Sequence, residues 1–112
     1  MHSKSGRRVP VAVLGASGYS GAELLRLLAG HPSLEVGFVG AHDAAGTPLG
    51  EVWPHLAPFA DLVLEPNEDV AGSDVEAAYL ALPAGRSSAI APALAERGVR
   101  VVDVGRSEEH TS

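Results

Sequence analysis

Cysteine is absent from this chain of 112 residues. Disulfide bonds are therefore excluded, and so is any thiol chemistry carried out by residues of this chain. No apolar run approaches the length of about 18 residues that a membrane-spanning helix needs, and no leader with a charged start, an apolar stretch and a cleavage site is present. We therefore expect a cytoplasmic protein that does not bind a membrane.

Basic residues are few, since 8 Lys and Arg stand against 14 Asp and Glu, and the net charge is −6 with a pI of about 5.2. This balance argues against a nucleic-acid partner. The five histidines are scattered without the helical or turn spacing that would complete a metal site, so we expect no metal ion. At this length the chain holds one domain at most.

The most informative pattern is the segment Gly-Ala-Ser-Gly-Tyr-Ser-Gly at residues 15–21, which lies between two apolar runs. Gly15 would let the chain turn sharply out of a strand, Gly18 would leave room for a pyrophosphate, and Gly21 would let the next helix pack closely on the sheet. The first N–H groups of that helix would point at the phosphates. The pattern predicts a dinucleotide site, with a purely structural turn as the alternative.

The residues after this segment complete a βαβ unit. Gly30, followed by His31-Pro32, predicts the end of the helix, and the apolar residues at 34–39 predict a second strand. Such crossovers are right-handed and parallel, so ligands bind at the carboxyl ends of the strands.

The rest of the chain continues the alternation of strands and helices. Residues 40–60 are rich in Gly and Pro and predict a long irregular connection. A helix is predicted to begin near Ser87 or Ser88, either of which can act as its N-cap, and to end before Gly98. Three further strands are predicted at 61–64, 75–82 and 99–104. The expected fold is α/β, a Rossmann-type doubly wound parallel sheet represented by its nucleotide-binding half.

A second segment that would face a ligand is Ala-Leu-Pro-Ala-Gly-Arg-Ser-Ser at 81–88, which leaves a buried strand and enters a helix. Gly85 would permit close approach of a ligand, and the two serine hydroxyls could cap the helix or bind a ribose or phosphate. A plain helix cap is the alternative.

Four groups of residues form a pattern along the chain: 15–28 with His31-Pro32, Ala45-Gly46 with Glu-Val-Trp-Pro-His-Leu at 51–56, Leu-Ala-Leu-Pro at 80–83 and Val-Val-Asp at 101–103. Together these segments resemble the N-terminal domain of the N-acetyl-gamma-glutamyl-phosphate reductases of arginine biosynthesis. The Pro-His-Leu element at 54–56 distinguishes that family from the related aspartate-semialdehyde dehydrogenases. Its members reduce an acyl phosphate to an aldehyde with NADPH, through a cysteine thioester and a histidine acid/base.

The resemblance implies an NADP-binding domain of a parent enzyme that takes a small-molecule substrate and forms a homo-oligomer. It implies no catalytic residue within this chain, because the family supplies its cysteine further along. The predicted cofactor contacts are Gly15, Ser17, Gly18, Tyr19, Ser20, Gly21 and His42. The nicotinamide side is predicted to be lined by Leu82, Pro83, Gly85 and Ser87.

Some positions depart from the family pattern. The family commonly has Pro-His-Gly where this chain has Pro-Ala-Gly at 83–85. His42 could contact the 2′-phosphate of NADP, whereas Asp43 would repel it and suits the diol of an NAD ribose. Trp53 and His55 are interpreted as packing beneath the long loop, with direct substrate contact as the alternative.

The resemblance runs from about residue 9 to residue 105. Residues 106–112 are what the string AGATCGGAAGAGCACACGTCT encodes, which is the start of a common short-read sequencing adapter. We therefore predict a disordered leader at 1–8, an incomplete NAD(P)-binding domain at 9–105 and a non-native tail at 106–112, with a natural polar tail as the alternative. A truncated chain without cysteine is expected to be inactive as a reductase.

Two other functions fit the same fold. One is a different reductase, of the aspartate-semialdehyde dehydrogenase or epimerase type, although the Tyr-x-x-x-Lys pair of the epimerase type is absent because Glu23 and Pro83 follow the two tyrosines at that spacing. The other is a non-catalytic module that senses a nucleotide, since a Rossmann domain serves both purposes.

Overall fold

The computed structural model describes residues 8–83 and 85–104, apart from the side chain of Ser88. Its sheet has five strands in the order β3-β2-β1-β4-β5, and all neighbouring strands are parallel. This arrangement confirms the predicted Rossmann-type doubly wound sheet. The strands are β1 (Val9–Leu14), β2 (Leu34–Ala41), β3 (Glu65–Pro66), β4 (Ala77–Leu80) and β5 (Arg100–Asp103).

Helices cover the two faces of the sheet and create two separate cores. The α1 side contains Leu25 of the first helix and Leu49 of the second. The other side contains Val70 and Leu94, contributed by a 3-10 segment and the third helix. The helices are α1 (Tyr19–Leu28), α2 (Leu49–Val52) and α3 (Ser87–Glu96), with 3-10 segments at Ala57–Phe59 and Asn67–Gly72.

Strand β1 lies at the centre because its residues are apolar on both faces. Val11 and Val13 pack into the α1-side core, while Ala12 and Leu14 pack into the α3-side core. All four are fully buried, as expected for a central parallel strand covered on both sides.

Strand β2 contains one residue more than its partner requires. Val11 pairs with Val36 but Ala12 pairs with Phe38, so Gly37 is a β-bulge without a partner in β1. Val36 packs on the α1 side, whereas Phe38 lies in the α3-side core.

The prediction of a strand at 61–64 is wrong. The third strand of the sheet is β3, which follows this segment and pairs with Gly40 and Ala41 at the end of β2. The backbone of Leu64 is bonded elsewhere: its N–H donates to Thr47 O at 2.9 Å and its carbonyl accepts from Gly46 N–H at 2.7 Å. These bonds hold the segment in the crossover, where the Leu64 side chain is fully buried.

The connection predicted to be irregular over residues 40–60 includes α2 and a 3-10 segment. The first predicted helix begins earlier than its apolar run at 22–28, since α1 starts at Tyr19 inside the glycine segment. Its predicted end is confirmed, because α1 stops at Leu28 and Gly30 follows with φ +75°.

The serine N-cap predicted for the third helix is wrong. Helix α3 begins at Ser87, and its N-cap is Arg86, which makes no side-chain cap bond. Arg86 has helical dihedral angles (φ −75°, ψ −36°), and its N–H donates to Pro83 O at 3.1 Å. The chain therefore turns helically before Ser87, and since Ser87 and Ser88 both lie within the helix, neither takes the extended conformation that an N-cap requires.

The predictions for the leader and the tail fall on residues that lie outside the described ones, apart from Arg8. Among residues 8–83 and 85–104, no helix is long and apolar enough to cross a membrane. The same residues contain no group of three or more His, Cys, Asp or Glu side chains that could hold a metal ion.

Candidate nucleotide-binding site

A cleft of about 420 Å³ lies at the carboxyl ends of the strands, where β1, the central strand, leads into α1. It lies between the turn after β1, the ends of β2 and β3, and the loop after β4. Ligands of doubly wound folds bind at this edge of the sheet. The lining residues are Gly15, Ser17, Gly18, Tyr19, Ser20, His42, Asn67, Ala81, Leu82, Pro83 and Arg86.

The turn between β1 and α1 is closed by backbone contacts that exclude side chains. Gly15 has φ +79°, and a Cβ atom there would lie 2.2 Å from Ala81 O. A Cβ atom on Gly21 would lie 2.3 Å from Gly15 O. The structure therefore confirms the sharp turn predicted at Gly15 and the close packing predicted at Gly21.

Gly18 differs from these two glycines, because a Cβ atom there would be no closer than 3.6 Å to Gly15 O. Gly18 is exposed, lines the cleft and is the N-cap residue of α1. Within the described residues, the backbone N–H groups of Ser17, Tyr19 and Gly21 have no acceptor. Unbonded N–H groups at a helix N-terminus, together with the positive end of the helix dipole, favour an anion.

Asn67 joins the glycine turn to the ends of the neighbouring strands. Its Oδ1 accepts a hydrogen bond from Gly15 N–H at 3.1 Å, and Gly40 O accepts from Gly15 N–H at 3.0 Å and from Ala16 N–H at 2.8 Å. Asn67 is 6% exposed. These bonds tie β1, β2 and β3 together beneath the cleft.

Trp53 supports the same turn from the α1 side. Its Nε1–H donates to Ala16 O at 3.0 Å, and its ring centroid lies 5.8 Å from the ring of Tyr19 and 5.8 Å from the ring of His55. Tyr19 itself is 84% exposed. Trp53 is half-buried and bonded to the turn, in agreement with the packing predicted for it, whereas His55 is exposed and does not pack beneath the loop as predicted.

Charged and titratable side chains lie at the mouth of the cleft. His42 follows β2 and lines it, with Nε2 at 3.6 Å from the Oδ1 of Asp43. The Asp43 side chain is almost fully exposed. Arg86, at the start of α3, places a cation on the opposite wall.

Most of the predicted cofactor residues line this one cleft, and three do not. Gly21 packs beneath the turn, Gly85 is exposed on the next loop, and Ser87 is buried at the start of α3. Asn67 lines the cleft without having been predicted, whereas Ala81 and Arg86 belong to the segment 81–88 that was predicted to face a ligand but were not named as contacts. The position of Arg86 directly after Gly85 was a usable signal, because a cation beside a glycine loop suits phosphate.

A wider concavity of about 690 Å³ lies at the opposite edge, among the amino ends of β1, β4 and β5. Its lining includes Val9 and Tyr79 beside side chains of both charge signs, such as Glu76 and Arg100. Because ligands of parallel α/β sheets bind at the carboxyl ends, the cleft beside α1 is the candidate site.

Comparison with known proteins agrees with this assignment. Residues 10–108 match the family described as semialdehyde dehydrogenase, NAD binding domain. N-acetyl-gamma-glutamyl-phosphate reductase from Acidothermus cellulolyticus is 52% identical over 95 residues, which cover 85% of this chain and 27% of that protein. The enzyme of the same name from Synechococcus elongatus is 44% identical over 105 residues, which cover 93% of this chain and 29% of that protein.

A solved structure has the same fold. The crystal structure of aspartate semialdehyde dehydrogenase with NADP from Candida albicans superposes with a TM-score of 0.72 at 23% identity, over 86% of this chain and 29% of that one. The chain thus spans less than a third of the length of the relatives it matches. The predicted resemblance is confirmed, and the chain belongs to the family of semialdehyde dehydrogenase NAD-binding domains.

Proposed function

We propose that this domain binds NADP for a parent enzyme that reduces N-acetyl-gamma-glutamyl phosphate to the semialdehyde. The observation that carries the proposal is the N-terminus of α1, where Gly18 is exposed and the N–H groups beside it have no acceptor among residues 8–83 and 85–104. The relatives from Acidothermus cellulolyticus and Synechococcus elongatus support this reductase over the related aspartate-semialdehyde dehydrogenases.

The residues of the cleft fit a dinucleotide in two halves. The N–H groups of Ser17 and Tyr19 would bind the pyrophosphate, with the hydroxyls of Ser17 and Ser20 beside them. Tyr19 would cover the pyrophosphate from the exposed side. On the β4 side the nicotinamide would lie against Leu82 and Pro83, with Gly85 and Ser87 behind them.

The bound cofactor would supply the hydride, and the remaining chemistry needs groups that the described residues do not contain. Reduction of an acyl phosphate through a thioester requires a thiolate, and the chain has no cysteine. The domain would therefore bind and orient the cofactor, while the rest of the parent enzyme supplies the nucleophile. We expect no phosphate-dependent oxidation of the semialdehyde by the purified 112-residue chain.

Gly18→Val tests the proposed site. A valine there would place methyl groups where the pyrophosphate lies, so we expect the affinity for NADP to fall at least about 100-fold, which corresponds to about 2.7 kcal/mol. Isothermal titration calorimetry measures this loss. Gly72→Val is the matched control, because Gly72 is likewise exposed, a Cβ atom there would meet nothing within 4 Å, and it lies away from the cleft. Equal titration curves for Gly18→Val and the unsubstituted chain would show that the glycine segment is only structural.

The preference for NADP over NAD is tested at the end of β2. Removing the carboxylate in Asp43→Ser should increase the preference, because that charge opposes a 2′-phosphate, and His42→Ala should decrease it. Both side chains are exposed, so we expect changes of a few fold in the ratio of the two dissociation constants. A preference for NAD in the unsubstituted 112-residue chain would overturn the NADP assignment.

For the parent enzyme we propose a small-molecule substrate, a homo-oligomeric assembly and a cytoplasmic location, with no nucleic-acid partner. The acidic net charge of −6 supports the last point. Size-exclusion chromatography of the parent enzyme with light scattering tests the assembly.

A further inference from the structure

Asn67 is a buried polar side chain whose hydrogen bonding is half complete. It is 6% exposed and lines the cleft. Its Oδ1 accepts from Gly15 N–H, whereas its Nδ2 group has no hydrogen-bond partner within residues 8–83 and 85–104. Buried polar groups in native proteins are almost always paired with protein, water or ligand atoms, so a donor at the wall of a cleft is placed to bind a ligand atom.

The place of Asn67 in the sheet indicates which part of the ligand it meets. It directly follows β3, on the same side of the glycine turn as His42, while Leu82 and Pro83 lie on the β4 side. A dinucleotide that crosses the N-terminus of α1 has one nucleoside on each side of the turn. With the nicotinamide on the β4 side, as proposed above, the adenosine lies beside Asn67.

We propose that Asn67 makes the cleft permissive for NADP by donating a hydrogen bond from Nδ2 to the oxygen on C2′ of the adenosine ribose. The inference rests on the proposed function of the cleft. In dinucleotide-binding folds a carboxylate that faces the adenosine ribose accepts from the 2′-hydroxyl, and its charge would repel a 2′-phosphate. A neutral amide donor binds either oxygen, so the site admits the 2′-phosphate of NADP.

The composition of the chain provides a direct test. Asn67 is its single asparagine and there is no glutamine, so the ¹⁵N–¹H spectrum of the 112-residue chain contains one carboxamide NH₂ pair. Adenosine 2′,5′-bisphosphate should shift this pair saturably, whereas nicotinamide mononucleotide should leave it in place. Shifts of the Ser17 and Tyr19 amides without a shift of the carboxamide would overturn the inference and leave the proposed function intact. No shift at any residue would overturn both.

Asn67→Asp tests specificity. The substitution keeps an oxygen to accept from Gly15 N–H and replaces the donor by a carboxylate. We expect the affinity for NADP to fall about tenfold more than the affinity for NAD. Ala71→Asp is the control, because it adds the same charge to an exposed position of the same 3-10 segment, outside the cleft.

Equal losses for NADP and NAD in Asn67→Asp would show that Asn67 acts only by holding the turn, and would overturn the inference. Thermal unfolding without cofactor shows whether the variant is folded. If the variant is not folded, the carboxamide shift in the unsubstituted 112-residue chain shows whether Asn67 contacts the adenosine ribose.

Discussion

Two turns lead from neighbouring strands into helices at the same cleft, and they are held in place differently. In the turn after β1, added Cβ atoms on Gly15 and Gly21 would lie 2.2 Å and 2.3 Å from backbone oxygens. In the turn after β4, Gly85 has φ +92°, but a Cβ atom there would meet nothing within 4 Å. The backbone around the first turn leaves no room for a side chain at either glycine, whereas the space beside Gly85 is open and its left-handed φ is what disfavours a side chain there.

This difference separates a tightly enclosed part of the site from a more open one. The turn after β1 is also bonded by Asn67, Gly40 and Trp53, which suits the pyrophosphate that all dinucleotides share. The turn after β4 exposes Pro83, Gly85 and Arg86. We expect substitutions at these exposed positions to cost less stability than substitutions at Gly15 or Gly21.

The largest effect is expected for Gly21→Ala. Because the added Cβ atom would overlap Gly15 O and lie 2.8 Å from Ala16 Cα, either α1 or the turn must move. We expect the free energy of unfolding to fall by about 3 kcal/mol, measured by urea denaturation. A loss as small as that of Gly85→Ala would remove the distinction between the two turns.

A smaller effect is expected for Trp53→Phe, which removes the donor to Ala16 O and keeps an aromatic ring. The loss should be about 1.5 kcal/mol in the same urea experiment, with weaker cofactor binding because the turn is less well held. Tyr19→Phe is the control, since it keeps its ring 5.8 Å from Trp53. If Trp53→Phe left both the free energy of unfolding and the cofactor affinity unchanged, the supporting role of Trp53 would be contradicted.

Gly85→Ala should destabilise the chain by about 1 kcal/mol, the cost of a left-handed conformation for a residue with a side chain. No overlap adds to this cost, because the surrounding space is open. A loss near that of Gly21→Ala would mean that the second turn is as tightly enclosed as the first.

The smallest effect on stability is expected for Arg86→Ala, below about 0.5 kcal/mol, as for other exposed side chains. Its effect should appear in binding instead, as a few-fold loss of NADP affinity that diminishes at high salt because the contact is electrostatic. Affinity that is unchanged at low salt would show that the cofactor does not reach this wall of the cleft.

The contrast between the turns also explains what could be predicted from the sequence. Gly15 and Gly21 lie within one local pattern whose physical requirements are known, so their geometry was predictable. Asn67 contacts Gly15 across 52 positions in the sequence, and no local pattern reports such a contact. The specific role of a single polar residue after a strand depends on the tertiary structure.

The third strand was misplaced for a similar reason. Residues 61–64 have an apolar pattern, but Leu64 is bonded to the loop at Gly46 and Thr47, while Glu65 and Pro66 are exposed. A two-residue strand without apolar periodicity gives no signal. The central strand and α1 were predicted well because their burial follows the period of their secondary structure.

Because of the bulge at Gly37, β2 contains one extra residue, and the side chains after the bulge still face the same sides of the sheet as they would in a strand without it. Counting by twos along the sequence would place Val36 and Phe38 on one face, yet they belong to opposite cores, because the bulge absorbs one residue. In a relative that lacks this residue, the side chains from Val39 onward would therefore point to the same sides of the sheet as in this chain. A sequence alignment should then place the gap at Gly37. Deletion of Gly37 should shorten the strand while His42 still reaches the cleft with its side chain on the same side.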